Sequence, residues 1–383
     1  MIDNYIREKN LNNGKNYIKV KEIKEIQKKT LNTPSPTRDT TFAQIIDKDD
    51  YSNKQNLISF INENNPEFFE KIELGDYINS GSAGVVYRAT YKGKNKQQVA
   101  IKFLINKKHK ENREKKENET KKVNQEIAIS KKLHNKNIIE IYAYIKKEQM
   151  KYSILEYGKY GDTEHFLKKL LKRSVLAETF LNYIAKQILD GLEYLHRTKT
   201  IHMDIKPGNI LIDSNLDAKI TDFSVSCSYQ EFHPQDTVKF PFVGTGRYIA
   251  PEILSKSHLK IKEAEKIDIY SFGVTLYYLF YGEYPYKLND VKSKEYENIL
   301  KNIQNENLVF PDTRKISDKF KDFLIKILEK DYNKRLTIKE ALKHPWIKGS
   351  QIIFDEKENL SNQESFLINL ITDNIPKFND YIR

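Results

Sequence analysis

Apolar residues change their period along the chain. Between Gly75 and Phe103 they come in short runs, Val85-Val86-Tyr87 and Val99-Ala100-Ile101, separated by glycine and Lys-Gly turns, which is the pattern of strands. Beyond Tyr157 the period becomes helical: Phe180, Ile184, Ile188, Leu192 and Leu195 fall on one face, as do Phe320, Phe323, Leu324, Ile327 and Leu328. Ile267 to Tyr281 is almost wholly apolar, yet it is shorter than the roughly 20 residues that cross a bilayer and contains Asp268, so it predicts a buried helix. Thr337 and Glu340 have capping-box spacing ahead of Ala341-Leu342. The stretch from Glu126-Ile127-Ala128-Ile129 through Leu133 to Ile138 predicts one more helix. The fold class is α+β, with a sheet first and a larger, mainly helical part after it.

Polar stretches bound this folded region. Residues 1 to about 65 are rich in Lys, Asn, Thr and Asp, and Thr33-Pro34-Ser35-Pro36 breaks any regular element there. They predict a mobile arm with one short helix around Val20–Lys29. Asn106 to Lys122 carries eight Lys or Arg and four Glu with almost nothing apolar to bury, which predicts an exposed loop or solvated helix. Near the end, Phe366-Leu367-Ile368-Asn369-Leu370-Ile371 predicts a short helix that packs back in cis or engages a partner.

Composition narrows the class. At 383 residues, 39% hydrophobic and 31% charged, the chain is long enough for two domains or one large two-lobed domain. The single cysteine, Cys227, excludes an intrachain disulfide and a cysteine-rich zinc site, and suits a reducing compartment. No apolar leader follows Met1 and residue 2 is Ile, so the expected location is intracellular, cytoplasmic or nuclear, with no membrane span. The net charge of +12 favours acidic partners, but lysine and asparagine abound throughout, so a dedicated nucleic-acid surface is not expected.

Four motifs carry chemistry. Asn79-Ser80-Gly81-Ser82-Ala83-Gly84-Val85-Val86 lies between strand-like runs, where glycines let backbone N–H groups approach phosphate oxygens. Val99-Ala100-Ile101-Lys102 ends an apolar strand in a lysine, with which Glu126 could pair. Ile201-His202-Met203-Asp204-Ile205-Lys206-Pro207-Gly208-Asn209-Ile210-Leu211 sets a carboxylate, a lysine and an amide within six residues between apolar anchors. Ile220-Thr221-Asp222-Phe223-Ser224 adds a second carboxylate after a strand, and with the asparagine it makes an oxygen-rich site suited to magnesium.

In this order the motifs resemble those of the eukaryotic-type protein kinases, over roughly residues 71–347. The resemblance implies a two-lobed kinase fold. A small antiparallel-sheet lobe with one main helix covers about 71–157, including the charged insert 106–122, and a larger helical lobe covers about 158–347. The arm 1–70 and the tail 348–383 flank them. It further implies that Asn79, Gly81, Gly84 and Val86 form the nucleotide loop and that Lys102, oriented by Glu126, holds the phosphates. Ala100, Leu155, Glu156, Tyr157 and Leu211 are the implied adenine contacts, with Leu155 as gatekeeper and Leu155-Glu156-Tyr157-Gly158 as hinge. Asp204 is the implied catalytic base, Lys206 steadies the transferring phosphoryl group, and Asn209 and Asp222 ligate Mg2+, with Mn2+ as a substitute. Gly244-Thr245-Gly246-Arg247-Tyr248-Ile249-Ala250-Pro251-Glu252 resembles the end of an activation segment; Asp268 and Arg335 match structural anchors, and Glu252 should pair with Arg335.

The expected function is therefore an ATP-dependent serine/threonine protein kinase acting on protein hydroxyls and open to autophosphorylation, since Lys206 and Thr245 are what such kinases carry. Departures from the family pattern qualify this. Asn79 replaces the first loop glycine, at a position where tolerance of positive φ should matter. Met203 replaces the arginine that clamps a phosphorylated activation loop, and counting back from Ala250 puts Pro241 at the usual phosphoacceptor position, with Thr237 four residues earlier. Activity without activation-loop phosphorylation is the expectation that follows. Ser224 replaces the glycine of the Asp-Phe-Gly triplet, reducing backbone freedom there. Gly208 stands where many basophilic members carry glutamate, so no strong requirement for basic residues is expected, although Asp162 could attract one. Cys227 is either a regulatory thiol or, as the plainer reading, inert. The alternatives to catalysis are a nucleotide-binding pseudokinase and a scaffold acting through protein interactions.

Overall fold

The computed structural model describes residues 54–81, 84–92, 96–104, 124–146, 150–167, 176–255, 258–286 and 296–349. They fall into two compact units, one running to Ile127 and including Glu140–Tyr157, the other comprising Ala128–Ile139 and the chain from Gly158 onward. The expected helix at Val20–Lys29, the Thr33–Pro36 segment, the insert 106–122 and the stretch Phe366–Ile371 lie outside the described residues.

The first unit begins with two helices, α1 (Lys54–Asn64) and α2 (Phe68–Lys71), followed by strands β1 (Ile72–Gly81), β2 (Gly84–Tyr91) and β3 (Gln97–Leu104). Residues 124–130 form α3, and β4 (Ile141–Lys146) and β5 (Lys151–Glu156) complete an antiparallel sheet in the order β1-β2-β3-β5-β4. Strand period decides its two faces. Val85, Tyr87 and Ala89 of β2, Val99, Ile101 and Phe103 of β3, and Tyr152 and Ile154 of β5 bury one face in a common core. The intervening residues Val86, Ala100, Lys102 and Leu155 belong to the other.

The core face is covered by a part of the chain that the polar pattern assigned to the flexible arm. Leu57, Phe60, Ile61 and Phe68 are buried in the same core, Phe68 sets its ring edge-on against Tyr152 at 5.4 Å, and Asn65 donates a buried hydrogen bond to the Tyr152 hydroxyl at 3.1 Å. The arm boundary at residue 70 is thus corrected: residues 54–71 are folded because the sheet's aromatic face would otherwise expose a large apolar surface. The lobe boundary shifts as well. The helix expected through Ile138 ends at residue 130. Asn135 Oδ1 accepts from the Asn137 N–H at 2.8 Å, turning the chain, and Ile138 makes a parallel bridge with Ile220 of the second unit.

The second unit is built on α4 (Glu178–Arg197), with strands β6 (Thr200–Ile201), β7 (Ile210–Ile212), β8 (Ala218–Ile220), β9 (Cys227–Ser228), β10 (Thr237–Val238) and β11 (Leu259–Lys260) paired two by two as β6 with β9, β7 with β8 and β10 with β11. Helices α5 (Pro251–Leu254), α6 (Glu265–Tyr281), α7 (Tyr296–Asn305), α8 (Asp318–Ile327), α9 (Ile338–Lys343) and α10 (Pro345–Lys348) follow. The expected face of α4 is buried along its length, and α6 is buried almost all round. Gly273 lets α6 approach closely, since a Cβ there would lie 2.9 Å from Leu328 Cδ2. α6 ends where Gly282 takes the left-handed conformation at φ 75°. The capping box at Thr337 and Glu340 is present, and Trp346 stacks on Phe320 at 4.2 Å. Among the described residues no helix is long and apolar enough to cross a membrane.

The packing of α1 makes a testable prediction. Phe60→Ala should lower the stability of the first unit by about 3–5 kcal/mol, the usual cost of a deleted core aromatic, read as reduced amide-exchange protection in β2 and β3. Unchanged protection would show that α1 adds nothing to the sheet.

Candidate active site

In the first unit the sheet register brings candidate residues together. Val86 pairs with Lys102 across β2 and β3, and on the other side Lys102 pairs with Ser153 and Ala100 with Leu155. Val86, Ala100, Lys102 and Leu155 therefore share the face turned away from the aromatic core. Lys102 Nζ lies 2.7 Å from Glu126 Oε1 in α3, with both side chains largely buried. The pair holds the ammonium at a fixed point on this face instead of leaving it to swing on its four-carbon stem. Glu156 is tied down by its backbone N–H, which donates to the Glu140 carbonyl at 2.9 Å; Tyr157 follows it as the last residue of the unit.

The β1–β2 hairpin carries Asn79 opposite Val86 and Gly81 opposite Gly84. Asn79 is not among the residues with positive φ, which corrects the expectation that tolerance of positive φ matters there: it pairs with Val86 just after a register shift in β1, and its Oδ1 accepts from the Ser80 N–H at 2.8 Å. Glycine is required at Gly84 instead, where a Cβ would fall 2.0 Å from the Phe103 carbonyl oxygen.

The second unit organises the loop between β6 and β7 around Asp268 of α6. This fully buried carboxylate accepts the backbone N–H groups of His202 at 2.9 Å and Met203 at 2.9 Å and the His196 ring at 2.8 Å. Burial on its own would raise the Asp268 pKa; the His196 hydrogen bond and the neighbouring His202 outweigh it and hold the carboxyl below the usual range. Met203 is thereby locked at φ 70°, a conformation that costs a bulky residue roughly 1–3 kcal/mol. Its side chain is buried, so a position that carries arginine in much of the family here belongs to the core.

One residue further on, Asp204 is gripped on both oxygens. Oδ2 accepts from Lys206 Nζ at 2.7 Å and from Asn209 Nδ2 at 2.9 Å, and Oδ1 accepts from the Thr245 hydroxyl at 2.8 Å. Lys206 also donates to the Thr245 oxygen at 2.6 Å. His202 Nδ1 accepts from the Asp204 N–H at 3.2 Å, so its proton sits on Nε2, which donates to the Thr221 carbonyl at 3.0 Å. Asn209 directs both N–H bonds at Asp204, one to the main-chain carbonyl at 2.7 Å. That orientation leaves Oδ1 as its acceptor, and this amide oxygen and the Asp222 carboxylate are hard oxygen donors of the kind that suits magnesium.

Asp222 has φ 66°, whereas Ser224 has no positive φ. The strain at this turn thus lies on the aspartate, and the glycine-to-serine departure falls where serine is tolerated. Leu211 of β7 packs against Gly158, where a Cβ would come within 2.9 Å of it. Glu252 and Arg335 form the expected buried pair, bidentate at 2.6 and 3.0 Å. Asp162 caps the turn Thr163–His165, its Oδ1 accepting from the Glu164 and His165 N–H groups at 3.0 and 2.9 Å. Burial raises the pKa of the Cys227 thiol, favouring the inert reading of that residue.

Two contributors escaped the sequence reading as site residues. Thr245 touches Asp204 directly, and its position depends on Gly244, at φ 103°, where a Cβ would meet the Met203 carbonyl at 2.6 Å; the Gly-Thr-Gly string was the available signal. His196 supports Asp268 from the end of α4, and nothing in its sequence neighbourhood marks it.

Comparison with known proteins shows the family. Residues 72–347 match the family described as Protein kinase domain. The chain is 30% identical over 279 residues to an Aurora kinase of Dictyostelium discoideum, covering 73% of this chain and 66% of that protein. It is 31% identical over 319 residues to Death-associated protein kinase 2 of Mus musculus, covering 81% and 80%. It is also 31% identical over 291 residues to the serine/threonine-protein kinase PKH1 of Saccharomyces cerevisiae, covering 71% of this chain but only 34% of that one.

The role of Asp268 can be checked by pH. Because the fold depresses its pKa, its contribution to stability is complete above the unfolded-state value of about 4 and is lost as pH falls through and below it. Asp268→Asn should lower stability at neutral pH by roughly 3–5 kcal/mol and flatten the acid limb of the stability profile in urea unfolding. An acid limb like that of the wild type would refute the assignment.

Proposed function

The chain belongs to the protein kinase family, and we propose that it transfers the γ-phosphate of ATP to serine and threonine hydroxyls of proteins. The observation that carries this reading is the carboxylate of Asp204, held between Lys206, Asn209 and Thr245 at hydrogen-bond distances. A carboxylate so oriented can take the proton of an incoming hydroxyl as its oxygen attacks phosphorus. Lys206 beside it offsets negative charge on the transferring group. Lys102, fixed by Glu126, pairs with the nucleotide phosphates, and Asn209 and Asp222 hold magnesium, for which manganese would substitute. Within the first unit, nucleotide contacts are assigned to Asn79, Gly81, Gly84, Val86, Ala100, Leu155, Glu156 and Tyr157. Bound ATP with its metal supplies the activated phosphoryl group, and the protein's share is positioning and charge.

Activity independent of activation-loop phosphorylation is part of the proposal. Backbone hydrogen bonds hold the segment: β10 pairs with β11, the Ile261 N–H donates to the Asp236 carbonyl at 2.9 Å and the Lys262 N–H to the Pro234 carbonyl at 3.1 Å. Phe240 is buried nearby and Thr237 is exposed. Order here comes from pairing and burial, in keeping with a buried methionine at 203.

Asp204→Ala should abolish magnesium- and ATP-dependent labelling of a generic protein substrate, a loss of about 10³-fold or more in kcat, while Thr237→Ala labels at the wild-type rate. Wild-type protein that binds ATP and labels nothing would favour the pseudokinase reading. With Gly208 lacking a side chain, a peptide library should show no dominant arginine upstream of the acceptor; a strong arginine preference would contradict that assignment and point to Asp162 instead.

A further inference from the structure

The second unit carries a cleft of about 580 Å³ walled by the start of α4, the segment Arg314–Lys319 leading into α8, and α10 with Gly349. Its apolar lining is Phe280, Ile316, Pro345 and Trp346. The carboxylate of Glu178 is already engaged: it accepts from the Ser317 N–H at 3.0 Å, from the Ser317 hydroxyl, and from Trp346 Nε1 at 3.1 Å. Arg314 stacks over Phe280 at 4.0 Å, and Lys315 and Lys319 are exposed and without an ion-pair partner among the described residues. Three cations therefore border the cleft against one saturated carboxylate. The N-terminus of α4, whose cap residue Ala177 supplies no side-chain hydrogen bond, adds to the positive field.

Gly349, the last described residue, lines this cleft. The chain continues Ser350-Gln351-Ile352-Ile353-Phe354-Asp355-Glu356-Lys357-Glu358, three apolar residues followed by three carboxylates around one lysine. At about 3.3 Å per residue, Ile352 reaches at most about 10 Å from Gly349 and Glu358 about 30 Å. The order of chemistry along this segment complements the cleft, and tethering supplies an effective concentration on the order of millimolar, so a weak contact is enough.

We propose that the cleft is the docking site of the chain's own segment Ile352–Glu358. Ile352, Ile353 and Phe354 cover Ile316, Phe280 and Trp346, and Asp355, Glu356 and Glu358 face Lys315, Lys319 and Arg314. The contact ties the tail to the base of the second unit and stands whether or not the chain is an active kinase.

Carbodiimide coupling of the full chain tests it, because this zero-length reagent joins lysine amines only to carboxylates already in contact. A mixture of ¹⁴N- and ¹⁵N-labelled protein should yield same-isotope links from Lys315 or Lys319 to Asp355, Glu356 or Glu358. The Lys326–Asp322 pair, 2.8 Å apart, serves as the internal standard. Changing Ile353→Ser and Phe354→Ser, outside the described residues, should lower the yield of these links at least fivefold and leave the standard unchanged. Absence of the links while the standard couples would overturn the proposal. So would a yield indifferent to the serine variant, which would reduce the links to collisions of a tether. Mixed-isotope links would show that the occupant comes from a second copy, and would overturn the intrachain assignment.

Discussion

A single buried carboxylate organises the second unit. Asp268 gathers two successive backbone N–H groups and a histidine ring, and hydrogen bonds to a charged acceptor contribute roughly 1.5–3 kcal/mol each. That is enough to hold Met203 in a left-handed conformation, and the next residue is Asp204. The loop between β6 and β7 is short; Met203 and Ile205 anchor it in the core, and α6 sets the course of its backbone through Asp268. Gly244 is part of the same arrangement, because its missing side chain lets the activation segment approach the Met203 carbonyl and bring Thr245 onto Asp204.

The first unit rests on a different constraint, the period of its strands. One face is an aromatic core closed by α1 and α2, and the other carries Val86, Ala100, Lys102 and Leu155. Because alternate side chains point to opposite faces, closing the core face orients the chemical face as well. The helices before β1 are thus integral to the unit even though the family match begins at residue 72.

The departures from the family pattern take on physical meaning together. Met203 is buried, the activation segment is held by strand pairing, and Asn79 and Ser224 occupy positions where no positive φ is imposed. At Asn79 and Ser224 the local backbone has no need of glycine, and at 203 the side chain serves the core.

Much of this was readable from the sequence alone. The strand runs, the helical faces at Phe180–Leu195 and Phe320–Leu328, the capping box at Thr337 and the spacing of Asp204, Lys206 and Asn209 are local patterns, set by periods and short chain separations. The pairings Lys102 with Glu126 and Glu252 with Arg335 were legible because the motifs around them are distinctive. Tertiary structure decided what depends on surfaces meeting across long separations. A helix rich in polar residues at 54–64 folds because an aromatic sheet face needs covering, the chain at 131–139 turns to join the second unit because Ile138 finds Ile220, and Thr245 reaches Asp204 across 41 residues. Burial and backbone approach are properties of the assembled fold, and no window of sequence contains both partners.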